Sequence, residues 1–288
     1  MQALSYYLTF PFIYLIASLP FPVLYAVSDA LSFLIQLVGY RKGVIQTNLR
    51  NSFPEKPEAE IEKLTRAYYS YLCDITLETF KTMKMSETEN RQRVVLENPE
   101  EFGRLFAINK SIVLVLGHYG NWEWMGPCIS LNTQYQLVVI YRPLTNPYFD
   151  RMMTRTRTRF GTQITPAPQA LRTMVANRGK ITMTAFIADQ AAPSNAYWTN
   201  FLHQDTSVFT GPEKLSTKFK YPVVYLHSSR PRRGHYTIRG EVLFEHPETT
   251  AENEISETFT QRLEKDIVAD PTLWLWSHKR WKHPRPKA

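Results

Sequence analysis

Residues 111–126 read Ser-Ile-Val-Leu-Val-Leu-Gly-His-Tyr-Gly-Asn-Trp-Glu-Trp-Met-Gly. The unbroken apolar run Ile112 to Leu116, stopped by Gly117, has the pattern of a strand buried on both faces. Asn121 is a suitable N-cap, so a helix is expected to start there with Glu123 in its first turn. His118 then stands at a strand-to-helix corner. Gly117 and Gly120 on either side let the chain turn tightly and a substrate approach closely.

Strand and helix patterns alternate on both sides of this corner. Upstream, Tyr40 to Arg50 reads as a short basic helix and Pro57 to about Met83 as a long one, with Glu58 and Glu60 near its positive dipole end. Val94 to Leu96 suits a strand, and Asn98-Pro99 opens a helix to about Ile108. Downstream, Gln136 to Tyr141, Ile181 to Ile187, Pro222 to His227 and Tyr236 to Glu245 suit strands. Helices are expected from Asn146-Pro147 to Arg159, Pro168 to Asn177, Gly211-Pro212 to Lys220, Glu252 to Val268 and Pro271 to Trp281. Ala191 to Thr210 reads as a polar, aromatic loop, and the basic tail Lys282 to Ala288 is expected to fray. The alternation predicts an α/β fold: a mixed, mainly parallel sheet flanked by helices, with binding residues at the strand C-terminal ends.

Residues 1–40 are of another kind. They carry one charged side chain, Asp29, whereas 21% of the whole chain is charged. Leu4 to Val27 is uncharged and apolar, long enough to cross a bilayer as a helix of ~20 residues. Pro11, Pro20 and Pro22 interrupt it, so a kinked span and two interfacial helices are both open. No basic side chain precedes the run, which argues against a cleaved signal peptide. Arg41, Lys42 and Arg50 follow it and place the remainder on the cytoplasmic side. The reading is an N-terminal hydrophobic membrane helix within an anchor segment, 1–40, and a catalytic domain, 41–288.

With 34 Lys and Arg against 26 Asp and Glu, the formal charge is +8, which favours an anionic partner. No base-reading motif accompanies that charge, so nucleic acid is not the expected partner. Cys73 and Cys128, the two cysteines, make neither a disulfide framework nor a metal-ligand pattern. The corner likewise lacks zinc spacing.

Chemistry is then sought in protons rather than metals. A histidine with a pKa near 6.5 can serve as a general base at neutral pH, and a carboxylate on its other nitrogen fixes the tautomer. Glu123, five residues after His118, is the expected orienting carboxylate. Arg151, Arg155 and Arg159 fall on one helical face, a pattern more often solvated than functional. Asp189-Gln190, at the end of a strand, could equally be a turn former.

Gly-His-Tyr-Gly-Asn-Trp-Glu resembles the late acyltransferases of lipid A biosynthesis, the lauroyl and myristoyl transferase family. These are distant relatives of the glycerolipid acyltransferases, which use His-x4-Asp. Other blocks occur in family order: Tyr40-Arg41-Lys42 with Asn48-Leu49 and Ser52-Phe53-Pro54, then Tyr141-Arg142-Pro143 with Asn146-Pro147. Thr154 to Gly161, Ala188-Asp189-Gln190 and Leu275 to Lys282 complete the series. The resemblance implies a fatty acyl group transferred from acyl carrier protein to a hydroxyl of a phosphorylated lipid A precursor, at the cytoplasmic face of the inner membrane, without a bound cofactor. It implies catalytic roles for His118, Glu123, Arg157 and Asp189, and substrate-binding roles for Arg142, Gly120, Asn121, Gln190 and Arg159. Where many members carry an aromatic pair and glycine, this chain has Asn200-Phe201-Leu202-His203, so acyl-chain length is not implied. His203, His227 and His278 are expected to be structural. A glycerophospholipid or aminolipid acceptor, and an inactive membrane-anchored lipid-binding protein, remain as alternatives.

Overall fold

The computed structural model describes residues 1–286. The chain begins with two helices, α1 (Gln2–Ser18) and α2 (Phe21–Val38), rather than one continuous apolar rod. Leu19 and Pro20 separate them, because proline provides no backbone N–H to continue the first helix and is preset to begin the second. Two helices follow, α3 (Lys42–Ser52) and α4 (Glu58–Lys81). The next, α5 (Glu87–Arg93), is not expected from the sequence patterning above, although Ser86 and Glu89 form a capping box.

The α/β body then runs β1 (Val94–Leu96), α6 (Pro99–Ala107), β2 (Ile112–Leu116), α7 (Trp122–Asn132), β3 (Gln136–Tyr141), α8 (Pro147–Thr158) and β4 (Gln163–Pro166). It continues through α9 (Ala170–Ala176), β5 (Thr182–Ile187), β6 (Tyr197–Phe201), β7 (Gln204–Val208), α10 (Gly211–Phe219), β8 (Val223–Arg232), β9 (His235–Phe244) and α11 (Glu254–Ala269). Seven strands form one sheet in the order β1-β9-β8-β2-β5-β3-β4. All neighbours are parallel except β8 and β9, so the expected mixed, mainly parallel sheet is what forms. β2 and β5 are buried along nearly their whole length, as their unbroken apolar runs require.

Two expectations are corrected. The stretch Ala191 to Thr210 contains the antiparallel hairpin β6–β7, not only a loop. Its turn places Leu202 and His203 at φ +52° and +63°, a conformation usually carried by glycine or asparagine, so the usual hairpin signal is missing. Phe201 and Leu202 are buried, with the Phe201 ring edge-on to Trp274. The departure at Asn200–His203 therefore sits in a packed hairpin turn. The C-terminal segment Pro271 to Trp281 is not a helix: after a 3-10 turn at Pro271–Leu273 it is irregular. Asn48 donates to the carbonyls of Trp276 (2.8 Å) and His278 (3.0 Å), and Arg41 donates to that of Ser277 (2.7 Å). These tertiary bonds take the place of helical ones. Of the basic tail, residues 287 and 288 lie outside the described residues.

Both N-terminal helices pack against α4, and polar bonds cross the junction. Ser28 donates to Asp74 at 2.7 Å, Tyr25 to Glu78 at 2.8 Å, and Lys81 to the Leu19 carbonyl at 2.7 Å. Asp74 is buried and also accepts from Arg230 and Arg233 on the β8–β9 hairpin. The opposite faces are exposed and apolar: Leu4, Leu8, Phe12 and Leu15 on α1, and Phe33, Leu34, Leu37 and Val38 on α2. By length and composition, α2 alone among the described helices could span a bilayer. Removing the Asp74 carboxylate leaves Arg230 uncompensated, so Asp74→Ala is expected to cost about 3 kcal/mol. Chemical denaturation of the detergent-solubilised protein measures it, and a loss within error of zero contradicts this account of the α2–α4 junction.

Candidate active site

The site follows from strand register. In the parallel pair β2–β5, Leu116 lies opposite Ile187, and the Ala188 N–H still donates to the Leu116 carbonyl at 3.0 Å. Two residues past each strand, the same register sets His118 against Asp189. The His118 backbone N–H donates to Asp189 Oδ2 at 2.8 Å, and Nδ1 lies 2.6 Å from Oδ1. An ionised carboxylate only accepts, so Nδ1 carries the proton and Nε2 is the basic nitrogen. Trp274 Nε1 donates to Asp189 Oδ2 at 2.8 Å and completes its hydrogen bonding.

Glu123, expected to orient His118, does not. Its carboxylate accepts both Nε (3.0 Å) and Nη2 (2.6 Å) of Arg157, a two-point pair from α7 to α8. The reason is geometric: after the tight turn at Gly120 (φ +63°), α7 carries Glu123 away from the His118 ring toward α8. Sequence spacing alone does not distinguish two carboxylates that can each reach a histidine. The register of β2 and β5 does. Trp274 was also missed, because no local pattern links residue 274 to residue 189.

The other expected residues divide clearly. His118, Glu123, Arg142, Arg157 and Gln190 line one cleft of about 440 Å³ at the C-terminal end of the sheet. Gln190 Nε2 lies 3.4 Å from His118 Nε2, and the Trp122 ring stands edge-on to the imidazole at 5.1 Å. A second cleft, about 470 Å³, shares Arg142 and Gln190 with the first and is walled by Phe186, Ala192 and Phe209. Gly120 and Asn121 are framework rather than contact residues. The Gly120 N–H donates to the Leu273 carbonyl, so it is not free to bind a developing oxyanion. Asn121 is fully buried; it caps the Trp124 N–H and donates to Glu78. A Cβ on Gly120 would meet Ser228 Oγ at 2.4 Å, which leaves no room for a side chain. Arg159 points out of the cleft and donates to the Thr82 carbonyl.

Electrostatics fit an acid–base pair rather than a thiol. Burial alone would raise the Asp189 carboxyl, but the His118 charge and the bonds from His118 and Trp274 outweigh it and hold the group down to about 2. Burial pushes the Cys73 and Cys128 thiols up to about 11 and about 12, so neither supplies a thiolate at neutral pH. A second His–carboxylate pair, His227 Nδ1 to Asp266 at 2.7 Å, joins β8 to α11. There Tyr225 and Arg262 occupy the same carboxylate.

The full sequence decides the family. It matches the model described as bacterial lipid A biosynthesis acyltransferase over residues 1–283. The chain belongs to this acyltransferase family. A lipid A biosynthesis acyltransferase of Haemophilus influenzae is 24% identical over 273 residues, covering 93% of this chain and 86% of the relative. The lipid A biosynthesis palmitoleoyltransferase of Escherichia coli K12 is 23% identical over 277 residues, covering 94% and 88%. A family member of this kind acts in lipid A synthesis by acyl transfer.

Because the Asp189 carboxyl is depressed in the folded state, its contribution to stability is present above its unfolded pKa of ~3.9 and disappears as pH falls toward about 2. Acid titration of stability is expected to show about 2 kcal/mol lost across that window in the acyltransferase, and a flatter profile in Asp189→Asn. Superimposable profiles contradict the assigned role of the His118–Asp189 contact.

Proposed function

We propose that the acyltransferase moves a fatty acyl chain from an acyl carrier protein thioester to a hydroxyl of a phosphorylated lipid A precursor, with His118 as general base. One observation carries this reading: an imidazole bonded through Nδ1 to a buried carboxylate, with its other nitrogen at a cleft that also holds two arginines. The acceptor hydroxyl gives its proton to His118 Nε2 as its oxygen attacks the thioester carbonyl carbon. The tetrahedral intermediate then collapses, the carbon–sulfur bond breaks, and the carrier thiolate takes the proton from the imidazolium. Asp189 holds the tautomer and stabilises the positive ring, as the acid of a hydrolase triad does. Arg157 offers positive charge to the developing oxyanion, and its bond to Glu123 fixes where that charge stands.

The two clefts that meet at Arg142 and Gln190 suit two substrates, one on each side of the reacting atoms. The exposed apolar faces of α1 and α2 suit an interfacial seat on the cytoplasmic leaflet of the inner membrane, with α2 docked on α4 by polar contacts along its other face. Net charge of +8 favours both an acidic carrier protein and a phosphorylated lipid.

The test is transfer from carrier thioesters of several chain lengths to a lipid A precursor, read by mass spectrometry of the lipid product. His118→Ala and Asp189→Asn are expected to lower kcat about a thousandfold or more. Glu123→Gln is expected to lower kcat by a smaller factor, because it loosens Arg157 but leaves the His118 tautomer intact. A Glu123→Gln defect in kcat as deep as that of Asp189→Asn returns the orienting role to Glu123. Undiminished turnover in His118→Ala removes the mechanism.

A further inference from the structure

We infer that the face of α8 turned away from the catalytic cleft is a binding site for the phosphate of an anionic phospholipid in the membrane on which the enzyme sits. Arg157 faces Glu123, whereas Arg151, Arg155 and Arg159, four residues apart, line a separate cleft of about 420 Å³ between α8 and α1. Tyr6 and Phe10 of α1 and Tyr148 of α8 form its aromatic wall, with Tyr6 and Tyr148 stacked at 5.7 Å. No acidic side chain lines it.

Arg151 and Arg155 are spare charge. Among the described residues, neither Arg151 nor Arg155 makes an ion pair or a side-chain hydrogen bond, and both are exposed. Asp150, the nearest carboxylate in sequence, is turned to the Leu144 N–H at 2.8 Å. Arg151 and Arg155 are thus left to an external anion, and a guanidinium fork matches a phosphate at two points.

Position selects a lipid over a free phosphate. Helix α1 is held to α8 by Asn146, which donates to the Gln2 carbonyl at 3.0 Å, and by the Tyr6–Phe149 contact at 5.3 Å. Its other face exposes Leu4, Leu8, Phe12 and Leu15. Seated on a membrane by that face, as the proposed function has it, the enzyme holds the arginine row at the depth of headgroups, with aromatic rings between charge and hydrocarbon as interfacial proteins arrange them. A phospholipid fits with its phosphate on Arg151 and Arg155 and its chains along Tyr6 and Phe10. Such a site adds attraction to the negative leaflet and fixes the rotation of the catalytic cleft relative to the membrane.

The experiment is co-sedimentation of the full-length protein with vesicles of phosphatidylcholine alone or with one-fifth phosphatidylglycerol, at low salt. Wild type is expected to partition more strongly onto the anionic vesicles, and Arg151→Gln/Arg155→Gln to lose about fivefold of that preference per arginine. Binding to neutral vesicles should be unchanged, which separates this site from the membrane seat itself. Lys110→Gln/Lys180→Gln removes the same charge at the opposite, N-terminal end of β2 and β5 and is expected to leave most of the preference. An equal loss in both double variants, or no anionic preference in wild type, overturns the site. A raised KM for detergent-dispersed acceptor in Arg151→Gln/Arg155→Gln also overturns it, by assigning the arginines to the acceptor.

Discussion

Parallel pairing of β2 with β5 is the constraint on which the site depends. A strand that slipped by one residue would turn every side chain to the other face. Here both strands are buried on both faces and flanked on either side by packed helices, so the pairing is fixed along its length. The dividend is local: two residues past the strand ends, a backbone N–H and a ring nitrogen of His118 meet the two oxygens of one buried carboxylate. Burying a charge in this way is tolerable only when each oxygen is bonded, and Trp274 completes the set.

Trp274 also ties the C-terminal segment to the catalytic corner. Its backbone bridges to Tyr119, Leu273 accepts from Gly120, and the chain beyond is clamped by Asn48 and Arg41. The blocks around residues 41–54 and 274–282, far apart in sequence, are thus two sides of one junction. A buried polar cluster does the same for the N-terminal helices. Glu78 accepts from Tyr25 of α2, from Tyr236 of β9 and from Asn121, whose other end caps α7. Burial raises the Glu78 carboxyl, and hydrogen bonds from Tyr236 and Tyr25 oppose that rise. Through this one side chain, the helix with an exposed apolar face is joined to the helix that begins at the His118 corner.

Division of labour on α8 follows from helical geometry. Arg157 is two residues from Arg155 and Arg159, so it projects from nearly the opposite side. Its pairing with Glu123 leaves the other three on a face of their own. A single basic stretch, Thr154 to Gly161, thereby lines the His118 cleft with one arginine and the α1 groove with others.

Local patterns in the sequence determined most of the architecture: the apolar runs of β2, β3 and β5, the Asn caps of α7 and α8, and the apolar character of residues 1–40. Each is a short-range effect, written in neighbouring residues. The hairpin turn at Leu202-His203 and the irregular course after Leu273 were not legible, because both are held by distant groups that override local propensity. His118 could be singled out as a candidate base from its glycine-flanked corner. Its partner could not, since two carboxylates were available and only strand register chose between them. The sequence supplied the chemical groups; tertiary structure decided that Asp189 serves the histidine and Glu123 the arginine, because hydrogen bonds depend on position in space and not on spacing along the chain.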